Sequence, residues 1–321
     1  MPADPAEPNP QPVPAPRHPL HAALHQRTAH LSPTTRALMW SMAAGLLFSL
    51  LNALARSLTL HLHPMQSQFL RYLFGLLVML PLLWRAGLAA YVPKRIGGQF
   101  TRGAVHTLGL VLWFSALPRI PLADMTAIGF TGPIFIMIGA ALFLGEPMRW
   151  ERWVATAVGF VGMLVVLGPK FSGQGGWWHL VMAASAPVFA ASYLLTKALT
   201  RTETTEVIVF WQALTVMLFS LPLALPVWLW PTAVQWAGFA VCGLLGSLGH
   251  YALTRSYRNA DISATQSVKF LDLVWASTLG FIVFADVPLP STLLGGALIS
   301  AATLWLARRE SRALARLDNE P

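Results

Sequence analysis

The sequence contains few charged residues. Asp, Glu, Lys and Arg make up only 11% of its 321 residues, whereas an ordinary soluble domain has about 25%. A single cysteine, Cys242, excludes an intramolecular disulfide and a multi-cysteine metal site. The sequence also lacks a phosphate-binding loop and any polar stretch long enough for a nucleotide-binding domain, which excludes direct pumping by ATP hydrolysis.

No constellation of catalytic residues is present either. The nearest arrangement is Ser247 with His250, which lacks both the sharp glycine-flanked turn of a serine nucleophile and an acidic residue to orient the histidine. We therefore expect that the protein is not an enzyme, and we predict no cofactor and no metal centre.

Apolar residues, in contrast, make up 55% of the chain. They recur in runs of about 18 or more residues, long enough to cross roughly 30 Å of hydrocarbon. The sequence therefore predicts an all-α integral membrane protein with ten transmembrane helices. These helices cover residues 37–57, 66–84, 103–118, 124–144, 152–168, 177–196, 207–229, 233–253, 263–285 and 290–307. Eight prolines among the first 19 residues predict a disordered cytoplasmic tail over residues 1–35, and residues 310–321 form a second tail.

The distribution of basic residues predicts the orientation. Ten spans place both termini on the same side of the membrane. With the termini in the cytoplasm, 17 of the 22 basic residues fall in inner segments, and only Arg119 and Lys170 fall in outer loops. This asymmetry is the one that the positive-inside rule requires. We therefore predict a multi-pass protein of the bacterial inner membrane with both termini in the cytoplasm.

A constant offset of 140 residues relates the two halves of the chain. The offset places Gly103 on Gly243, Gly109 on Gly249, Phe130 on Phe270 and Glu146 on Asp286. Each half contains five spans, an odd number, so the second half should enter the membrane inverted relative to the first. We predict a first five-helix repeat over residues 36–170, a second over residues 177–309, and a substrate site between them.

Two segments resemble the EamA-type branch of the drug/metabolite transporter superfamily. In the first half, Ala123–Pro133 looks like the fourth helix of that family with its central proline, and Leu144–Pro147 follows it. In the second half, Ala260–Trp275 is followed by Phe284–Asp286. The resemblance covers about residues 37–309. It implies a secondary transporter in which helices three, four, eight and nine line a central cavity that opens alternately to each side.

Polar side chains in the ninth predicted helix lie on one face. Gln266, Lys269 and Asp272 are three residues apart, and Trp275 continues the same face. A charge at mid-membrane costs about 2.5 to 3.5 kcal/mol on insertion scales. Lys269 and Asp272 therefore either form an ion pair that lets the helix insert, or bind a charged group of the substrate or a proton.

The repeat favours the binding interpretation. The positions of Lys269 and Asp272 are occupied in the first half by Gly129 and Gly132, so helix packing at this place does not require the two charges. Pro133 removes a backbone donor and clashes with the preceding turn. We therefore expect the segment from Gly129 to Pro133 to be close-packed and locally bent.

Five further side chains are predicted to face the cavity from other helices: Arg71, His106, Trp113, Trp211 and Tyr251. Arg71 lies near a helix end, so its side chain either extends to the outer headgroups or provides a positive charge that binds substrate near the outer mouth of the cavity. His106 is a candidate for coupling transport to protons, as is Asp272. The offset pairs His106 with Gly246 and not with His250, so no symmetric histidine pair is predicted.

Other charged residues are interpreted as structural. Arg56 is expected to extend from the end of the first span to the headgroups. Asp124 should cap the fourth helix, and Asp286 should mark a helix end.

The charges of the candidate site indicate the substrate class. Arg71, Lys269 and Asp272 give two positive charges against one negative, which favours a zwitterionic or anionic solute. We predict an inner-membrane exporter of amino-acid-like metabolites. One alternative is a vitamin or cofactor transporter of the riboflavin or S-adenosylmethionine type, and another is a membrane scaffold or receptor that transports nothing. The expected partners are a small-molecule substrate, the lipid bilayer and a coupling proton; a homodimer is left open, and nucleic acid is not expected.

Overall fold

The computed structural model describes residues 33–129, 131–145, 150–167, 176–262, 265 and 271–317. Within these ranges the chain is helical and contains no strand. The α-helices are α1 (Pro33–Thr59), α2 (Pro64–Ala86), α3 (Ile96–Ala116), α4 (Leu122–Gly129), α5 (Gly132–Leu144), α6 (Trp150–Leu167), α7 (Gly176–Leu199), α8 (Thr205–Ala224), α9 (Ala233–Asn259), α10 (Leu271–Phe284) and α11 (Pro290–Leu317). Short 3₁₀ helices follow α2 at Leu88–Tyr91 and α8 at Leu225–Val227.

Several helices have the length and composition of membrane spans. Helices α1, α2, α7, α8 and α9 each contain an 18-residue window with a mean hydropathy of at least 1.2. Large apolar side chains point away from the protein, as Trp84 and Phe143 do with exposed fractions of 90% and 80%. A lipid environment accounts for such a surface. The expectation of an all-helical membrane protein is confirmed, while the number of ten spans stays a prediction.

The fourth predicted span is interrupted at its centre. Helix α4 ends at Gly129 and α5 begins at Gly132; between them the Thr131 hydroxyl donates to the Ile128 carbonyl at 2.8 Å. Pro133 lies in the first turn of α5, where its missing N–H costs least. The bend expected here stays a prediction, since Phe130 lies outside the described residues. The expected close packing was wrong, because a Cβ added at either glycine would meet no atom within 4 Å.

Helix pairs from the two parts of the chain pack in matching fashion. Helix α1 packs on α9 and α3 packs on α7, while α2 contacts both α8 and α9. A Cβ at Gly103 would overlap the Thr215 side chain, and a Cβ at Gly243 would lie 2.6 Å from the Gly75 nitrogen. The 140-residue offset converts one contact into the other, because it relates Gly103 to Gly243 and Gly75 to Thr215. If a two-fold axis relates the halves, each contact between helices must occur twice, and the two halves exchange the residues that they contribute to it.

Replacement of Gly243 by alanine is expected to destabilise the protein by about 1 to 3 kcal/mol, because the added methyl must push α9 away from the α2 backbone. Gly97 provides the matched control, since it also lies in a helix but has no atom within 4 Å of an added Cβ. Gly97→Ala should leave stability unchanged or slightly raised. Thermal unfolding in one detergent compares the two variants, and equal melting temperatures would contradict the packing described.

Candidate substrate cavity

A cavity of about 210 Å³ lies between helices of the two halves. Its walls come from α1 to α5 in the first half and from α7, α9 and α10 in the second. On α7 the lining residues extend from Met182 to Tyr193, which is about 16 Å at 1.5 Å per residue. The cavity is therefore elongated along the helices. Its position between the halves agrees with the expectation, although α1, α2 and α7 line it in addition to the predicted helices.

Aromatic rings form much of the wall. They are Phe48 on α1, Trp113 on α3, Phe189 and Tyr193 on α7, and Tyr257 on α9. The rings of Phe189 and Tyr193 are nearly parallel, at 17°, with centroids 6.2 Å apart. Ring faces and edges of this kind favour contact with a flat, apolar or aromatic surface. The wall is thus suited to a planar ring system.

Two opposite charges line the same cavity. Arg71 is only 7% exposed, and its guanidinium carbon lies 4.7 Å from the centroid of the Tyr72 ring. Within the described part of the chain, Arg71 Nε has no hydrogen-bond partner. The second charge, Asp272, lies in the first turn of α10 and contacts α1 at Gly45, where any side chain would collide with the carboxylate. Its repeat counterpart, Gly132, lines the cavity as well.

Two histidines meet in the wall of the cavity. His106 on α3 and His250 on α9 both line the cavity, and their ring centroids are 5.4 Å apart. The Tyr72 hydroxyl lies 3.0 Å from His106 Nε2 and 3.4 Å from His250 Nε2. Ser192 Oγ lies 2.9 Å from His106 Nδ1. The two histidines are not related by the repeat offset, as noted from the sequence, and only the structure shows that they meet.

A buried arginine connects this cluster to the second half. Arg102 is 2% exposed, and its guanidinium donates to Thr196 Oγ1, to the Ile208 carbonyl at 3.0 Å and to Gln212 Oε1. The amide nitrogen of Gln212 lies 3.2 Å from His250 Nε2. The third span predicted from the sequence begins at residue 103, which leaves Arg102 in an inner segment. Helix α3 instead begins at Ile96 and carries Arg102 into the bundle.

The structure brings four of the nine predicted site residues to the cavity: Arg71, His106, Trp113 and Asp272. Gln266 and Lys269 lie outside the described residues. A role in substrate binding stays a prediction for all nine residues.

Three predicted site residues lie elsewhere. Trp211 does not line the cavity, and its indole nitrogen donates to the Tyr91 carbonyl at 2.8 Å. Tyr251 packs edge-on against Trp40, with centroids 6.0 Å apart. Trp275 is 36% exposed and does not line the cavity. These aromatic side chains stabilise helix contacts or face outward.

Polar contacts connect the halves at their predicted outer end. Arg56 at the end of α1 forms an ion pair with Asp286, which follows α10. Arg56 therefore does not extend freely to the headgroups as expected. Asp124 is 2% exposed, lies 3.1 Å from His179 Nε2 on α7 and accepts a hydrogen bond from Thr292 on α11. Its contacts reach well beyond the capping of its own helix.

Comparison with known proteins identifies the family. Residues 35–168, and again residues 176–308, match the EamA-like transporter family. The chain belongs to this family. The EamA protein is 37% identical over 277 residues to a riboflavin transporter of Rhizobium johnstonii, an alignment that covers 85% of this chain and 91% of the relative. It is also 30% identical to an S-adenosylmethionine uptake transporter of Rickettsia felis, over 86% of this chain and 94% of the relative.

Other relatives extend the range of cargo. A pseudopaline exporter of Pseudomonas aeruginosa is 28% identical over 84% of the EamA protein and 94% of the relative. A crystal structure that is 22% identical has the same fold, with a TM-score of 0.66 over 86% of this chain and 98% of the other. The EamA protein is therefore a multi-pass bacterial membrane protein of a transporter family, and its relatives are transporters and not enzymes.

Proposed function

We propose that this EamA protein transports a planar aromatic metabolite, riboflavin or a close analogue, across the bacterial inner membrane by alternating access between two inverted halves. The observation that carries the proposal is the elongated cavity between the halves, with five aromatic side chains on its walls and Arg71 and Asp272 beside them. The isoalloxazine ring of riboflavin presents flat faces to such walls, and its carbonyl edge and hydroxylated chain offer acceptors and donors to the two charges.

Similarity supports the same substrate class. The riboflavin transporter of Rhizobium johnstonii is more similar to this chain than the S-adenosylmethionine transporter of Rickettsia felis, at 37% against 30% identity. Two further relatives, from Vibrio cholerae and Brucella anthropi, are also riboflavin transporters. An uncharged substrate also fits this wall, because the charges of its guanidinium and its carboxylate are opposite and balance each other.

Arg71 and Asp272 favour a second candidate substrate class, the zwitterionic metabolites. A zwitterion places a carboxylate and an ammonium group near each other, and the buried Arg71 and the half-buried Asp272 complement these charges. An amino-acid-like metabolite or S-adenosylmethionine therefore remains the alternative substrate. Amino acids make less use of the five aromatic rings than a fused ring system does.

The contacts between the halves support alternating access. At the predicted outer end, Arg56 pairs with Asp286 and Asp124 contacts His179. Nearer the predicted inner end, Arg102 of the first half donates to α7 and α8 of the second. Polar contacts can be exchanged for others or for water when helices move, whereas interdigitated apolar side chains resist sliding. The basic residues support cytoplasmic termini, because 16 stay in predicted inner segments once Arg102 is placed in the bundle, against 2 in outer loops.

Thermal stabilisation of the purified protein tests the substrate. Riboflavin at a hundred times its dissociation constant should stabilise the protein by about 2.7 kcal/mol, which raises the melting temperature by a few degrees. Trp113→Leu should weaken riboflavin binding about tenfold, because it removes a cavity ring. Trp84→Leu is the matched control, since Trp84 is 90% exposed. Stabilisation by amino acids or S-adenosylmethionine, with none by riboflavin, would favour the second candidate.

A further inference from the structure

The hydrogen bonds behind the cavity have a fixed polarity. An arginine guanidinium has only donors, so the Gln212 atom that faces Arg102 must be the oxygen. The amide nitrogen of Gln212 therefore faces His250 and donates to it, at 3.2 Å from Nε2. This assignment follows from chemistry and does not depend on distinguishing nitrogen from oxygen by position.

The directions of these hydrogen bonds determine that both histidines are uncharged. The Gln212 amide nitrogen lies 3.2 Å from His250 Nε2 and 3.4 Å from Nδ1, so one of the two ring nitrogens must offer it a lone pair; that nitrogen carries no proton, and the ring is uncharged. The single lone pair is then in use, and the Tyr72 hydroxyl donates its one proton to His106 Nε2, the nearer acceptor at 3.0 Å. His106 in turn carries its proton on Nδ1, which donates to Ser192 Oγ. The Gln212 amide, the Tyr72 hydroxyl and His106 Nδ1 therefore each have an acceptor while both imidazoles are neutral.

The surroundings oppose a positive charge on His250. The side chain is 6% exposed, and Phe48 packs edge-on against the ring with centroids 4.9 Å apart. The titratable or charged groups around it are Arg71 and Tyr72 from α2, Arg102 and His106 from α3, and Tyr193 from α7, with Asp272 of α10 on the same cavity. Two of these groups are guanidinium cations, so protonation of His250 would place a third positive charge beside them.

We propose that Arg102 and Gln212 are positioning residues that hold His250, and with it this wall of the cavity, uncharged, so that an uncharged substrate binds with the same affinity across the pH range in which histidine titrates. The proposal rests on the substrate site proposed above. It assigns Arg102 and Gln212 a role in setting the polarity of the site, although neither lines the large cavity. A coupling proton, where transport uses one, binds elsewhere than on this histidine pair.

The protonation of each histidine can be measured without a substrate. Hydrogen–deuterium exchange at the imidazole C2 position proceeds by way of the imidazolium, and mass spectrometry follows it for each histidine of the full chain in detergent. His61 is exposed and serves as an internal reference for exchange at an accessible imidazole. His250 of the wild-type protein should show no titration between pH 5.5 and 8.5. A normal titration of wild-type His250 would overturn the proposal without the need for any variant.

Gln212→Glu reverses the polarity and supplies the second test. The new carboxylate accepts from Arg102 and can only accept from His250, so the facing nitrogen must carry a proton. His250 should then exchange as an imidazolium at pH 6. Gln68→Glu is the matched control, because Gln68 is also buried but its amide donates to Ser220 Oγ; wild-type behaviour of His250 is expected there. Unchanged exchange of His250 in Gln212→Glu would also overturn the proposal.

The pH profile of riboflavin binding separates this inference from the proposed function. The wild-type dissociation constant should change less than about twofold from pH 5.5 to 8.5, whereas that of Gln212→Glu should change at least fivefold as His250 gains or loses its proton. A protein that fails to bind riboflavin at any pH contradicts the proposed substrate, while the exchange measurement still tests the histidine. Binding by the wild-type protein that varies as a histidine titrates contradicts the inference alone.

Discussion

Replacement of Arg71 by methionine is expected to weaken substrate binding about ten- to hundredfold. The guanidinium is 7% exposed, lines the cavity and leaves Nε without a partner among the described residues. A hydrogen bond to a charged group contributes about 1.5 to 3 kcal/mol, and 1.4 kcal/mol corresponds to tenfold in affinity. Methionine keeps an unbranched apolar side chain beside Tyr72 but removes every donor.

Arg85→Met provides the control for this experiment. Arg85 lies on the same helix, α2, but it is exposed in the last turn, so its replacement should leave the dissociation constant unchanged. Both variants are compared by riboflavin titration of the purified protein. If Arg71→Met binds riboflavin within twofold of the wild type, Arg71 is not a binding residue and only packs beside Tyr72 in the cavity wall.

Replacement of Gly129 by leucine is expected to abolish transport while the protein stays folded. Gly129 lines the cavity, and nothing lies within 4 Å of an added Cβ, so the leucine side chain has room to extend into the substrate's space. A volume of about 210 Å³ leaves little tolerance for four additional carbon atoms. Initial rates of riboflavin uptake into cells, normalised to the amount of protein in the membrane, provide the measurement.

Gly97→Leu controls for the introduction of a leucine at a helical glycine. Gly97 is exposed and also has open space around its Cβ position, but it does not line the cavity. Wild-type uptake is expected for this variant. Undiminished uptake by Gly129→Leu at a wild-type melting temperature would show that the substrate passes by another route.

Charge and aromatic character in apolar spans could predict part of the site. Arg71, His106 and Asp272 are expensive in a bilayer, so each required a partner, a cavity or a function, and all three line the cavity. The same argument applies to Gln212, a buried amide in the middle of α8. The 140-residue offset from Arg71 led the prediction to Trp211 instead, whose indole donates to the Tyr91 carbonyl at the end of a short 3₁₀ helix.

The direction in which each helix faces could not be predicted. A soluble helix shows a polar face to water and an apolar face to the core, whereas the lipid-facing and core-facing sides of a membrane helix are both apolar. Trp113 and Tyr251 therefore look alike in the sequence, although only the first lines the cavity. Helix ends were uncertain for a related reason, and a start of α3 at Ile96 instead of residue 103 changed the interpretation of Arg102.

Contacts between the halves required the three-dimensional structure. The 140-residue offset relates positions within the sequence, but it does not state which side chains meet across the bundle. Arg56 and Asp286 are 230 residues apart, and His106 meets His250 one turn away from its repeat position. Packing of α1 on α10 brings Arg56 to Asp286, and α2, which contacts both α3 and α9, brings the two histidines together around Tyr72.

Riboflavin counterflow in proteoliposomes tests whether the protein transports riboflavin through the cavity. Liposomes that contain the purified full chain are loaded with unlabelled riboflavin and diluted into labelled riboflavin. We expect transient accumulation of labelled riboflavin with the wild-type protein. We expect none with Gly129→Leu or with protein-free liposomes. Binding without accumulation would indicate a receptor or scaffold, and accumulation at the wild-type rate by Gly129→Leu would contradict the assignment of the cavity as the substrate site.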